Sequence, residues 1–348
     1  MDVAKPFLKI RTFSFLPMLI SFVGFSTFRG LMDVKVSAKI ALLTNFVVMS
    51  LDPLLIHVFG VGVRGAAMAT LSGDILAASI YIKLLRDRNL IPIRKLTKLP
   101  AWSSVAPLIK GGISLQLKSF SWNIIMLSVA RVIQSMDDSG VVPAAHALAL
   151  QTFQLGSILM GALGAASQTL VPTAIAKSTQ QQINDDDVTT YDENGAVVTA
   201  SVPTSTSTTY AQQLVKRLFV LGSSIGFSIG FIQMLLLPTL LKSSPLPEVR
   251  EAARIPALLA CGFQGINGLV SVGEGVLMGS GSFVWLSITS VLGAVGYLGA
   301  LQIFPKQFGL TGVWMSSALF WLIRLAGIFL HLSWKNNPLR TTTTTTNK

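Results

Sequence analysis

Residues 62–84 read GVRGAAMATLSGDILAASIYIKL, a run in which only Arg64, Asp74 and Lys83 carry charge. A helix needs about 20 predominantly apolar residues to cross about 30 Å of hydrocarbon, and core helices of soluble proteins are usually shorter. This stretch therefore predicts a membrane span. Working outward from it, similar stretches predict spans at about 12–29, 38–59, 104–133, 141–174, 212–240, 255–279, 283–303 and 309–332, nine in all. The two longest, 104–133 and 141–174, exceed the bilayer and must tilt, bend at their internal glycines or project beyond it.

Composition agrees with this reading. Of 348 residues, 51% are hydrophobic and only 12% charged, about half the charge of a typical soluble domain. The net charge of +12 does not point to nucleic acid, because the basic residues lie between apolar blocks instead of forming one basic and aromatic surface. The single cysteine, Cys261, has no partner for a disulfide or a cysteine-based metal site and reads as a small buried hydrophobe. His146 stands without a ligand cluster, so no metal is expected. No HExxH, GxSxG or paired-aspartate arrangement occurs in the spans, which argues against a membrane-embedded enzyme.

Lysine and arginine mark the expected cytoplasmic side. The connection after the third span carries Lys83, Arg86, Arg88, Arg94, Lys95 and Lys98, and the same side receives Arg29, Lys35, Lys39, Lys177, Lys216, Arg217, Lys335 and Arg340. Asp137 and Asp138 fall opposite. Lys5, Lys9 and Arg11 break the rule by preceding the first span on the outside. Residues 178–210 are rich in Ser, Thr and acids and predict a disordered cytoplasmic loop, and the threonine-rich tail 335–348 predicts a second disordered segment. The expected organisation is a partial N-terminal bundle over 1–103, the first two helices of a C-terminal bundle over 104–177, the loop at 178–210, four further helices over 211–334, and the tail.

An internal repeat supports two bundles. GVRGAAMAT (62–70) and GLTGVWMSS (309–317) share glycine, glycine, methionine and two small residues in register, and FRGLMD (28–33) has a shorter match in LMGSGS (277–282). Spans one to three and seven to nine then read as copies, as in transporters built from two related bundles. On this reading the spans present are the fourth to twelfth of a twelve-span protein, with Met1 an alternative or artificial start.

The segments FLKIRTFSFLP, STFRGLMDVK, LDPLLIHVFGVGVRGAAMAT, IKGGISLQLKSF, PAAHALALQ and GEGVLMGSGSF resemble, in order and spacing, the multidrug and toxic compound extrusion (MATE) family from its fourth helix onward. The similarity is nearest to the DinF-like branch, which includes citrate-exporting plant members. It implies an all-α, two-bundle MATE-like transporter fold of about nine helices here. It also implies a monomeric, multi-pass protein of a plasma, vacuolar or plastid membrane. The implied activity is cation-coupled antiport exporting organic compounds, organic anions such as citrate or xenobiotics among them, with no cofactor and with H⁺ or Na⁺ as coupling ion. Two alternatives are a lipid-linked oligosaccharide flippase of related fold and an inactive fragment of a MATE transporter.

Ionisable groups inside a bilayer are costly, which makes each a functional candidate. Asp52 precedes Pro53, whose missing N–H frees a backbone carbonyl for a cation. The resemblance places Asp52 in a cation site of the N-terminal bundle with Thr70 as partner; the family's asparagine falls on Val48, with Asn45 one turn earlier. Asp74 lies four residues after Thr70, on the same helix face. Glu274 sits between glycines, where close helix approach lowers the local dielectric and suits a proton carrier, and the resemblance matches it to an acidic site of the family's tenth helix. Lys118 lies mid-span, too deep to snorkel. It reads either as an attractor of anionic substrate, as the citrate exporters imply, or as the ion-pair partner of Glu274. Gln116, Gln151, Gln264 and Asn267 are candidates for neutral hydrogen bonds in the substrate cavity. The spans also fix a topology: protease sites inserted at 90–98 and in 178–210 will both be cut from the cytoplasmic side, and cleavage of the two from opposite sides would overturn the nine-span scheme.

Overall fold

The computed structural model describes residues 4–90, 101–186, 190–191, 197–198 and 205–333. The elements run α1 (Ala4–Gly30), α2 (Val34–Pro53), a π-helical turn (Leu54–Val58), α3 (Val63–Asp87), α4 (Trp102–Gln134), α5 (Val141–Asp186), β1 (Thr190–Tyr191), β2 (Val197–Val198), α6 (Ser205–Leu241), α7 (Pro247–Gly262), α8 (Gln264–Gly279), α9 (Phe283–Leu301) and α10 (Phe304–Ser333). Helices dominate because a backbone in hydrocarbon must satisfy its own N–H and C=O groups. Two compact units result, Met1–Ala101 and Trp102–Lys348.

Seven helices among the described residues are long and apolar enough to cross a membrane, or eight if α7 and α8, bent by 44° at Phe263, form one span. The expected span 255–279 is therefore broken. The expected span 104–133 is helical, as α4, but this 33-residue helix is not among the seven, because Lys110, Gln116, Lys118 and Asn123 interrupt its apolar course; eight spans at most among the described residues stand where nine were expected.

Two further expectations are corrected. Lys5, Lys9 and Arg11, expected ahead of the first span, lie within its helix, in the first turns of α1, where Arg11 pairs with Asp74 at 3.4 Å. The segment 178–210 is not a loop throughout, since α5 continues to Asp186 and α6 starts at Ser205, with Thr190 and Tyr191 paired to Val198 and Val197 between them. Extending an existing helix into water costs little once its nucleus is formed, and Gln is a good helix former. The remainder of that segment, the basic residues Arg94, Lys95 and Lys98, and the tail lie outside the described residues.

The two copies of the repeat share their backbone. Gly62 and Gly309 adopt nearly the same conformation, φ 61° and ψ −137° against φ 56° and ψ −135°, a region open essentially to glycine alone. The shorter match is equally close. Met32 (φ 62°) and Gly281 (φ 75°) occupy the same left-handed position at a helix end. There the N–H of Asp33 donates to Phe28 O at 2.9 Å and that of Ser282 to Leu277 O at 2.8 Å, the same helix-terminating closure in both.

Glycines also set the packing of the second unit. A Cβ on Gly268 would lie 2.2 Å from the Gly222 carbonyl of α6, and one on Gly275 2.2 Å from the Gly164 carbonyl of α5. α8 is thus wedged between α5 and α6 at backbone distance. At the start of α5, Asp137 Oδ1 accepts from the Ser139 N–H (2.8 Å), and its Oδ2 accepts from the Ser139 hydroxyl (2.7 Å) and the Val142 N–H (3.0 Å). The Ser139 hydroxyl, then the backbone N–H groups, hold this carboxyl down to about 2.

Two outcomes follow for stability. Gly309→Ala will cost about 1–3 kcal/mol because it forces a side chain into that backbone conformation. Gly299→Ala, in open space within α9, will cost nothing measurable; equal melting temperatures for the two variants in detergent would refute the assignment. Asp137 favours the folded state only while ionised, so its contribution is complete above about pH 4 and is lost as pH falls towards 2. The melting gap between wild type and Asp137→Asn should narrow over that window, and a gap independent of pH would show that the carboxylate charge is not what caps α5.

Candidate functional site

In the second unit, packing brings three ionised side chains from three helices to one point. Lys118 is carried by α4 on the face marked by buried Ser114 and Ser121. Glu274 is carried by α8 between two glycines that admit neighbouring helices on either side. Gly275 receives α5, and Gly273 receives Ile328 of α10, whose Cγ2 lies 2.6 Å from where a Cβ would stand. One turn before Ile328, α10 presents Arg324, which is 6% exposed. Glu274 is held between the two cations: its Oε2 accepts from Lys118 Nζ at 2.8 Å and its Oε1 pairs with Arg324 Nη2. The Arg324 guanidinium also lies over the rings of Phe320 and Trp321, at 4.9 and 5.6 Å. Burying an unpaired charge is prohibitive, so pairing of this kind is what permits ionised groups here.

The cluster lines a cavity of about 170 Å³ with Ser121, Trp122 and Ser290 completing its polar end. Trp122, Phe320 and Trp321 are shared with a smaller, apolar cavity of about 50 Å³ reaching Met126, Phe153 and Trp314. These three rings bound both hollows, and the charged side chains line the larger one. Two positive groups against one negative leave the charged end with one positive charge in excess.

Lys118 and Glu274, both singled out in the sequence, are therefore brought together. Arg324 was missed, although the same rule finds it: in WLIRLAG (321–327) it is the lone charge of an apolar run. Gln264 and Asn267, expected in the cavity, are not there. Gln264 is fully buried at the α7–α8 bend and donates to Phe153 O at 2.8 Å; Asn267 donates to Ser157 Oγ at 3.0 Å and to Gln264 Oε1 at 3.3 Å. Their amides are consumed in joining α8 to α5, because α8 approaches too closely to leave room for solvent or solute. Gln116 and Gln151 are exposed on the surface of the unit and line neither hollow.

In the first unit, Val48 fills the space left by Gly73 and the Leu55 backbone abuts Gly65, contacts that bracket Asp52 and Thr70 at one level of the α2–α3 pair. Asp52 stands where Pro53 ends the α-helical pattern and the π-helical turn begins, and its Oδ1 is buried with no hydrogen-bond partner. No hydrogen bond joins it to Thr70, whose hydroxyl donates to Ala66 O at 2.9 Å. Asn45 is exposed and apart from them. Asp74 faces α1 and Arg11 instead, beside a cavity of about 400 Å³ also lined by Phe25, Ala41 and Ala77.

Those last three residues matter for comparison between units. By the register of the repeat, Phe25 corresponds to Glu274, Ala41 to Ser290 and Ala77 to Arg324. Both copies therefore build a cavity from the same positions, and only the second fills them with polar and charged groups.

Known proteins resemble the chain. DETOXIFICATION 45, chloroplastic, of Arabidopsis thaliana is 24% identical over 336 residues, covering 96% of this chain and 54% of its own length. DETOXIFICATION 43 of the same plant is 23% identical over 326 residues, covering 92% of this chain and 55% of its own. The chain thus spans a little over half the length of the curated relatives it matches. Among solved structures, MATE in the straight conformation superposes with a TM-score of 0.74 at 17% identity, over 93% of this chain and 67% of that one. The outward-facing conformation of a multidrug resistance MATE family transporter of the MOP superfamily gives 0.71 at 18%, over 89% and 64%. No family profile matches the sequence. The helical repeat, the apolar spans and these likenesses together make the chain a multi-pass integral membrane protein with the fold of the MATE transporters.

Proposed function

We propose that the protein is a cation-coupled secondary transporter that exports small organic solutes by alternating access. The observation that carries this reading is the Lys118–Glu274–Arg324 cluster beside a cavity within apolar helices, because such groups are expensive in a membrane and mark a pathway for solute or ion. The second unit supplies the solute site. Asp52 supplies the coupling site: a carboxylate with an unpartnered buried oxygen, at a helix break, with no cation paired to it among the described residues. Taking up H⁺ or Na⁺ there neutralises a buried charge, and an ion shifts a conformational equilibrium only through such a difference between states. The names of the relatives, detoxification proteins and a multidrug resistance transporter, favour the same reading.

The test is transport by the purified protein in liposomes, with ethidium and benzenesulfonate as probes and an imposed H⁺ or Na⁺ gradient as the driving force. Wild type should move at least one probe against its own gradient, and Asp52→Asn should retain probe binding while losing at least about tenfold of the gradient-driven rate. An Asp52→Asn rate equal to wild type would exclude Asp52 from coupling, and no gradient-driven movement of either probe would overturn the transport reading.

A further inference from the structure

We propose that the smaller hollow of the second unit is a water site, in which one water molecule accepts from the Trp314 Nε1–H of α10 and donates to His146 Nδ1 of α5.

Two buried nitrogens point to it. Trp314 is 6% exposed, and its Nε1, like His146 Nδ1, is buried without a hydrogen-bond partner among the described residues. The two rings are neighbours, with centroids 5.8 Å apart and planes tilted by 49°, and both line the same hollow. Their nitrogens nevertheless do not bond to each other. A single oxygen with ordinary bonds of about 2.9 Å to each nitrogen spans a gap of up to about 5.8 Å. A buried donor or acceptor left unmatched carries its full desolvation cost, and one bridging molecule removes that cost from both.

The chemistry of the pair selects the occupant. An indole N–H can only donate, and the imidazole nitrogen accepts when the ring proton is on Nε2. The occupant must therefore accept at one end and donate at the other, which neither a metal cation nor a halide can do. No charged side chain lines the hollow, so an ion there would also be unpaired. Ser317 offers a third contact: its hydroxyl proton is spent on Trp314 O at 2.6 Å, which leaves the Oγ free to accept. Three bonds are what a buried water typically makes.

Size selects among neutral molecules. The hollow measures about 50 Å³. A water needs about 10–15 Å³ of such space, whereas benzene fills a cavity of about 150 Å³. The site thus takes water and excludes a ring-sized solute. Its place in the fold gives it a structural role. Trp314 follows the Gly309 break in α10, and His146 lies in the second turn of α5. The surrounding contacts, Phe153 against Trp314 among them, are apolar, so the water is a polar joint between α5 and α10 within an otherwise greasy seam.

The test is the structure of the wild-type full chain, purified in detergent and imaged at a resolution that shows ordered water. Density for one oxygen within about 3.2 Å of both Trp314 Nε1 and His146 Nδ1 is expected. Direct contact between the two nitrogens, or ordered rings with no density between them, overturns the proposal. Spectroscopy supplies a second reading in solution. The indole N–H Raman band, taken as wild type minus Trp314→Phe, should stand at its hydrogen-bonded position. The same difference in the infrared should contain a hydroxyl stretch that shifts in water enriched in the heavy oxygen isotope. A free N–H, or a bonded N–H without the isotope-sensitive stretch, is equally fatal to the water site. Should Trp314→Phe not fold, His146→Phe serves for the infrared difference, and loss of the stretch in that variant is the expected result.

Discussion

The close approach of α8 to its neighbours is the constraint from which the rest of the second unit follows. A glycine-lined helix can touch α5 and α6 at backbone distance and still admit Ile328 of α10, so the one acid it carries cannot avoid the cations on α4 and α10. In a bilayer there is no hydrophobic drive between helices, and van der Waals contact through small residues takes its place. The same contact leaves the Glu274 side chain only 17% exposed. What makes the packing possible therefore also makes the ion cluster necessary, because an acid so placed must be paired or neutral.

The repeat separates what the fold requires from what it permits. Turn geometry recurs to within a few degrees at Gly62 and Gly309, and the same left-handed closure recurs at Met32 and Gly281, the first of these at the expense of an unfavourable conformation for methionine. Charge does not recur. Phe25, Ala41 and Ala77 stand where the second copy has Glu274, Ser290 and Arg324. One backbone thus encloses two chemically different cavities, one apolar apart from Asp74 and neighbouring hydroxyls, the other with a surplus of positive charge.

The spans, the repeat and the ionisable pair Lys118–Glu274 were legible in the sequence because each rests on a local rule: apolar length, register, and the cost of charge in hydrocarbon. The polar residues were not. Gln264 and Asn267 carry the same donors whether they face a solute or a neighbouring carbonyl, and only the bend at Phe263 decides that they face Phe153 and Ser157. Arg324 lay within reach of the rule applied to Lys118 but outside any quoted motif. The helical extension to Asp186 was hidden for a different reason, since composition reports whether a segment can bury apolar surface and not whether a helix already formed will run on into water.

The two units carry opposite charge problems, and on the proposed reading that difference is what a coupled carrier needs. Among the described residues Asp52 is an acid without a paired cation, so it gains from binding one; the second cavity has a cation in excess, so it gains from binding an anion. Among the described residues neither site completes its own neutrality. A protein whose two sites were both neutral when empty would gain no electrostatic free energy from either ligand, and ligands that do not discriminate between states drive nothing. The unpaired oxygen of Asp52 and the surplus charge at Lys118 and Arg324 are thus the features in which binding and conformational bias can be the same event.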